Sequence, residues 1–208
     1  MGFINGSASI ARFLVNGSLP KDYTEEFPNR IFRYAFKNLD ENSDEERSTG
    51  WVNIMDMFDS QLTGRQFFND PYVALSWRID TRTVPSKALK EYCRKAEEEI
   101  KRIHDVEYLP KRQRQEIREG VLIQHLKRAI PRSRTYDMVW NLNTGVVLFG
   151  SPSNRIGGEF AEFFYKTFEL HLTPVFPYSI AYDTLQKEGA NPDLLDEVHP
   201  INLLEEKR

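Results

Sequence analysis

The chain has 208 residues, of which 40% are hydrophobic and 28% are charged, and its formal net charge is -3. This length and composition are those of a soluble globular protein with a sizeable core, and no run of about 18 apolar residues predicts a membrane span. The single cysteine, Cys93, excludes an internal disulfide and a thiolate zinc site. The first residues lack the features of a secretory signal, so we expect a cytoplasmic protein.

The first half of the chain predicts a strand, a helix and two further strands. Alternating apolar residues predict the first strand near 8–16. The helix should begin at Ser18 or Pro20, and Pro28 should kink or restart it. An acidic, turn-rich stretch over 37–50 predicts a mobile loop. The two further strands are predicted around 50–55 and over 72–83.

Two amphipathic helices come next. Apolar residues spaced by three and four predict a helix that begins at Ser86, with the Ser86 side chain as its cap. A second helix should begin at Pro110 and end before Pro131. Together they predict a helical hairpin at about 86–131. Cys93 lies on the apolar face of the first helix, so we expect a buried structural thiol rather than a reactive one.

The second half predicts a β-hairpin, a helix and an edge strand. Strands over 134–142 and 145–150 should meet at a tight turn that contains Gly145. The helix is predicted over 155–170, and "LTPVFPY" with its two prolines predicts a short edge strand. The helix should bury Phe160, Phe163, Phe164, Thr167 and Phe168.

The order of these elements predicts an α+β fold with a mainly antiparallel sheet. It combines a β-α-β-β unit, the inserted long helical hairpin and a β-β-α-β unit. Residues 1–186 should form a single domain, and residues 187–208 should form an acidic, loosely held tail.

The charge is unevenly distributed along the chain. Residues 82–134 contain 15 Lys and Arg against 8 Asp and Glu, a local net charge of +7, and the remainder contains 13 against 23, a net charge of -10. A basic surface attracts polyanions whatever the overall charge. The segment therefore suits nucleic-acid binding. The alternative is that its two helices are basic only because they are exposed to solvent.

The second helix of the hairpin carries a more specific signal. Its residues at successive steps of three and four form a line that is cationic at first and then largely apolar. We expect the second half to dock on the sheet and the first half to project, with Gly120 as a hinge. A projecting basic arm suits phosphate contacts that read no base sequence. An exposed helix stabilised by pairs such as Arg112 and Glu116 is the alternative. The line consists of Lys111, Arg114, Arg118, Leu122, His125 and Ala129.

No motif for catalysis is present in the sequence. The four histidines lack metal-ligand spacing, and nucleophile-elbow, phosphate-loop and dinucleotide motifs are missing. A metal-dependent nuclease needs several converging carboxylates, and the nearest candidates are Asp105 and Glu107 at the predicted hairpin tip. We therefore predict no catalytic residue, no metal site and no cofactor, with a metal-dependent exonuclease as the alternative.

The stretch "LKRAIPRSRTYDMVWNLNTGVVLFGSPSNRIGGEFAEFF" resembles the bacterial RdgC family of recombination-associated DNA-binding proteins. In that family a long charged helical pair runs into a Leu-Pro-Arg-Ala-Phe type motif, followed by a hairpin that ends in a serine and then by a helix. Residues 126–130 stand here at the motif, residues 141–145 at the turn, and Ser151 or Ser153 at the serine. The match continues upstream through residues 50–52 and 84–86 and covers roughly 50–178.

The resemblance implies a protein that binds duplex DNA with little sequence preference, forms a ring-like dimer around it and modulates recombinase loading. The family often carries an exonuclease label, which the residues here do not support. The resemblance implies that this motif helps to form a dimer contact, with Arg128 and Ile130 as the candidate contacts, although Lys127 and Ile130 replace the family's Pro and Phe. The chain is shorter than typical members, and we expect it to lack much of the half that completes the ring.

We predict a non-enzymatic, sequence-nonspecific DNA-binding protein of the RdgC type that is associated with the nucleoid. The expected partners are double-stranded DNA, a second copy of the chain and recombination proteins. We expect no association with a membrane. A module that docks an acidic protein partner is the remaining alternative. The candidate phosphate contacts are Lys111, Arg112, Arg114, Arg118, Lys127, Arg128, Arg132 and Arg134, with Lys87, Lys101 and Arg102 as weaker candidates.

Overall fold

The computed structural model describes residues 3, 9–40, 43–62 and 67–197. The strands are β1 (Ala11–Asn16), β2 (Arg47–Val52), β3 (Phe68–Asn69), β4 (Tyr72–Thr81), β5 (Arg132–Asn141), β6 (Val146–Phe149) and β7 (His171–Pro174). The helices are α1 (Tyr23–Arg33), α2 (Ser86–His104), α3 (Lys111–Arg128), α4 (Asn154–Phe168) and α5 (Pro177–Lys187), followed by a short 3-10 helix at Pro192–Glu197.

The strands of the described residues form one antiparallel sheet. Its order is β2-β4-β5-β6-β1-β7, and β3 also pairs with β4. The two predicted units share this sheet, because β1 from the first unit pairs with both β6 and β7 from the second. The predicted α+β class with a mainly antiparallel sheet is confirmed.

One face of the sheet is covered by α1 and α4, and the apolar core lies between them and the strands. Strand side chains alternate between faces, and Trp51, Trp77 and Trp140 point from three strands into this core, each at most 1% exposed. From α4, the ring of Phe160 stacks on that of Phe149 with centroids 4.0 Å apart. The five residues that we predicted α4 to bury are all buried.

The other face of the sheet, which we call the second face, is partly covered by loops near the end of β4. Phe36 reaches this face because residues 34–36 run beside β2, where Trp51 N–H donates to Tyr34 and Phe36 N–H donates to the Trp51 carbonyl, both at 2.9 Å. Gly50 permits the close approach, since a Cβ there would lie 2.3 Å from the Phe36 Cα. The absence of a side chain at position 50 thus places an aromatic ring over β4.

Several element boundaries differ from the predictions. Helix α1 begins at Tyr23 and continues through Pro28 without a break. The carbonyl that Pro28 leaves unpaired belongs to Thr24, which is exposed and can be hydrated. Strand β2 begins inside the predicted acidic loop. The cap of α2 is Pro85, not Ser86, and it makes no side-chain hydrogen bond.

The β5–β6 hairpin has the predicted turn. The Asn141 side-chain oxygen accepts hydrogen bonds from the backbone of Asn143 and Thr144 at 3.0 and 3.1 Å. Gly145 follows with a φ of +70°, a conformation that glycine adopts without strain. Ser153 caps α4 by accepting from Ile156 N–H at 3.5 Å.

The segment after β7 was predicted incompletely. Strand β7 is an edge strand, as expected, but it ends at Pro174, and Pro177 begins α5, which we did not predict. Proline suits the first helical position because its missing N–H has no partner there. The predicted loose tail contains the 3-10 helix, where Asp196 accepts from the Tyr178 hydroxyl at 3.1 Å, and residues 198–208 lie outside the described residues. None of the described helices is both long and apolar enough to cross a bilayer.

Candidate nucleic-acid interface

The helical hairpin α2–α3 is inserted between β4 and β5, which are neighbours in the sheet. Helix α2 has no buried residue and α3 has only Leu126. The two helices contact each other, and the rings of Tyr92 and His125 stack between them with centroids 3.8 Å apart. Residues 86–128 therefore form a projecting structure, which we call the arm.

The predicted docking of the second half of α3 on the sheet is wrong. Beyond Gly120 the helix continues without interruption, and Leu122 is only half-buried. Its apolar side chain faces α2 and lines a groove together with Leu89 and Cys93. Cys93 is accordingly half-buried in this groove rather than buried in a core.

The groove between the two helices has a volume of about 1020 Å³ and is lined mainly by charged residues. The predicted cationic line is confirmed in its geometry, because Lys111, Arg114 and Arg118 all face this groove. Helix α2 adds Lys90 and Arg94. These five cations are accompanied by three carboxylates along the lining, so the groove carries excess positive charge.

The predicted phosphate contacts are exposed and, with one exception, have no ion pair. All eight side chains are exposed, and within the described residues only Arg112 forms a salt bridge, to Glu116 at 3.0 Å. The guanidinium of Arg114 lies over the Tyr108 ring at 5.7 Å. By contrast, Arg94 is held by Glu91 and Glu98, whose hydrogen bonds raise its pKa.

Where the arm meets the sheet, a second cavity of about 530 Å³ lies on the second face, and we call it the root cavity. Lys127 and Arg128 line it from the end of α3, and Arg78 and Arg82 line it from β4 and the residue after it. Arg78, which lies in β4, and Arg82, which follows it, were not among the predicted phosphate contacts. The available signal was the run Arg78, Asp80 and Arg82, which places three charges on one side of a mostly apolar strand.

The cations of β5 lie on the opposite side of the sheet from the root cavity. Arg132 is opposite Thr81 and Arg134 is opposite Ile79 in the register of β4 and β5, so both belong to the helix-covered face. Ser133, between them, faces the root cavity. The eight predicted residues therefore do not form one continuous surface.

Nearby on the same helix-covered face, Arg47 pairs with Glu159 of α4 at 2.7 Å. This hydrogen bond from Arg47 lowers the pKa of the Glu159 carboxyl. Arg155 also pairs with Glu159, at 3.2 Å. The cations around Arg132 and Arg134 thus include two that share one carboxylate, whereas Lys111, Arg114 and Arg118 of the arm form no ion pair within the described residues.

The candidate nuclease residues and the candidate dimer contact Ile130 lie at exposed turns. Asp105 ends α2 with a left-handed φ of 50°, and both it and Glu107 are exposed at the arm tip. Across the described residues, no three His, Cys, Asp or Glu side chains lie close enough together to hold a metal ion. Ile130, the candidate dimer contact, is 92% exposed between α3 and β5.

The chain matches the model of a known protein family over most of its length. A family model described as "Putative exonuclease, RdgC" matches residues 22–184. The matched range includes the whole arm and the charged residues that line both cavities. No curated protein matches the chain significantly.

Proposed function

Because the chain belongs to the RdgC family, we propose that it binds duplex DNA through the arm and the root cavity, by phosphate contacts that do not read the base sequence. Membership in this family supports, at the level of the family, the assignment as a nucleoid protein associated with recombination. The mode of binding is our own inference. The observation that carries it is the set of exposed cations without carboxylate partners on a projecting arm.

Unpaired cations matter because a paired cation has already lost much of its attraction for phosphate. Five of the predicted phosphate contacts are unpaired and lie in the two cavities, namely Lys111, Arg114, Arg118, Lys127 and Arg128. Each phosphate that they neutralise releases condensed counterions from the DNA, and this release drives binding without regard to base identity. The arm has few contacts with the sheet, so these side chains can meet a phosphate backbone without disturbing the core.

DNA cleavage is not part of this proposal, although the family description contains the word exonuclease. The carboxylates that motivated a nuclease site, Asp105 and Glu107, are exposed at the tip of the arm. No third potential ligand accompanies them within the part of the chain that the structure describes. Two-metal phosphodiester cleavage needs carboxylates that converge on both ions.

The salt dependence of duplex binding tests the proposed function. With five phosphate contacts we expect log Kobs to fall against log salt with a slope of about -4.5, since each contact contributes about -0.9. Fluorescence anisotropy with two unrelated duplexes of equal length should give equal affinities throughout the series. Absence of binding at low salt, or a flat salt series, would contradict the proposal. A protein that binds polyglutamate but not DNA would instead be a module for an acidic partner.

We also propose that two copies of the chain associate through the link between α3 and β5. Ile130 lies there with 92% of its surface exposed, at the position where the resemblance to the family implies a dimer contact. Replacing Ile130 with Asp places a charge in that contact and should convert a dimer into a monomer. Light scattering after size-exclusion chromatography measures the mass, with Ile103→Asp, another exposed apolar site, as the control. A monomeric wild type or a dimeric Ile130→Asp protein would contradict this assignment.

A further inference from the structure

The root cavity is separate from the groove between α2 and α3, which we call the arm groove, and it is built differently. Four segments enclose it: residues 38–39, Phe58, the end of β4, and the α3–β5 link. Arg78 and Arg82 form its inner side and are only 6% and 3% exposed. Lys127 and Arg128 form its outer side and are exposed. The cavity therefore has a buried cationic floor and a solvated cationic rim.

The charges of the root cavity are not balanced by its own lining. Four cations line it, against Asp80 as the one lining carboxylate. Both Asp80 oxygens are occupied by Arg78, from Nε at 2.8 Å and from Nη2 at 2.7 Å. Lys127 and Arg128 have no salt bridge within the described residues. Charges in a partly buried site are screened less than exposed ones, so this excess favours an anion.

The two floor arginines are held in place by neighbouring groups. Arg78 donates from Nη1 to the Met57 carbonyl at 3.0 Å, and its guanidinium lies 4.1 Å from the Phe36 ring centroid and 5.4 Å from that of Phe58. Arg82 donates to the Asp40 and Leu39 carbonyls at 2.8 and 3.3 Å. Its buried Nε has no acceptor among the described residues. A fixed guanidinium needs little reorganisation when it meets an anion.

We propose that the root cavity binds the terminal phosphate monoester of a DNA strand, an inference that rests on the proposed DNA binding. A phosphate inside a duplex strand is flanked by two sugars, so the backbone can contact only the rim at Lys127 and Arg128. A terminal phosphate is attached through one oxygen and can enter between the rim and the floor. It also carries close to two negative charges near pH 7, since its second pKa is about 6. The arm would then hold the duplex while the root cavity holds its end.

The test compares three blunt duplexes of about 20 base pairs by anisotropy at about 0.15 M salt. One carries 5′-phosphates, one carries 5′-hydroxyls, and one carries 5′-hydroxyls and is two base pairs longer, which matches the added charge. We expect the phosphorylated duplex to bind about tenfold more tightly than both others, the effect of one charge-assisted hydrogen bond. Inorganic phosphate at constant ionic strength should remove this preference without displacing the hydroxyl duplex.

Two variants assign the preference to the root cavity. Lys127→Gln with Arg128→Gln removes two of the four cations that line the root cavity, so it should weaken all three duplexes and lower the tenfold ratio, whereas Arg114→Gln with Arg118→Gln should weaken all three equally and keep the ratio. Equal, salt-dependent binding of the three duplexes by the wild-type protein overturns the terminal-phosphate inference and leaves the proposed function standing. Failure to bind any of them at low salt overturns both. A ratio that survives the rim variant, with an unchanged melting temperature, also overturns the root-cavity assignment.

Discussion

We expect a loss of duplex affinity of roughly several hundredfold at about 0.1 M salt when glutamine replaces Lys111, Arg114 and Arg118 together. Each of these side chains lines the arm groove and lacks an ion pair within the described residues. At that salt concentration each lost phosphate contact removes about 0.9 log units of affinity. The slope of log Kobs against log salt should become less steep by about 2.7.

Anisotropy titrations at four or more salt concentrations measure both quantities. The matched control replaces Lys21, Lys166 and Lys187 with glutamine, because all three are exposed, lie outside the arm, and change the net charge equally. The control should keep the wild-type slope and lose little affinity. An equal loss in both triple variants would show that the overall charge, and not the arm, attracts DNA.

Helix spacing and strand alternation were enough to predict the arm and the core of α4. The five residues that α4 buries follow directly from steps of three and four, because one apolar stripe must face the sheet. The cationic line of α3 follows from the same geometry, since residues at those steps share one side of a helix. Both are local properties of a single element, and local periodicity specifies them.

Features that depend on pairing between distant segments were not predicted. The single sheet requires β1 to lie between β6 and β7, and no local pattern encodes that order. Arg132 and Arg134 were grouped with Arg128 because they are close in sequence. The register of β4 with β5 instead places them on the helix-covered face, away from the root cavity.

Some features are ambiguous in the sequence for a chemical reason. The segment around the start of α5 contains Phe176, Tyr178 and Ile180, residue types that favour strands, and a proline that is equally suited to begin a helix. Arg78 within a buried strand and Arg82 just after it look unfavourable from the sequence alone. They become compatible with burial only through Asp80 and through the carbonyls of residues 39, 40 and 57, which other segments supply.

The proposed DNA contacts and the core lie in separate parts of the molecule. The core packs between one sheet face and two helices, while α2 buries no residue and α3 buries only Leu126. Neutralising arm cations should therefore leave the free energy of unfolding nearly unchanged, since exposed substitutions away from caps and pairs usually alter it by less than about 0.5 kcal/mol. Core substitutions should instead lower the free energy of unfolding and leave the affinity of the folded protein for DNA unchanged.

Phe160→Ala is expected to lower the free energy of unfolding by about 3–5 kcal/mol. Phe160 is 0% exposed. The centroid of its ring lies 4.0 Å from that of Phe149, on which it stacks, and 6.0 Å from those of both Phe13 and Trp77. These rings belong to three strands of the sheet, so a methyl group in place of the ring leaves a cavity that no single movement can close. Urea unfolding monitored by tryptophan fluorescence measures the change.

The control for this prediction lies on the same helix. Tyr165 is 45% exposed and stacks on His171 at 4.3 Å outside the core, so Tyr165→Ala should cost less than about 1 kcal/mol. Equal losses in the two variants would contradict the placement of the core beneath α4. At temperatures where Phe160→Ala remains folded it should bind duplex DNA with wild-type affinity, because the arm and root cavity do not contain this residue. A large loss of affinity in the folded variant would show that the arm depends on the core for its geometry.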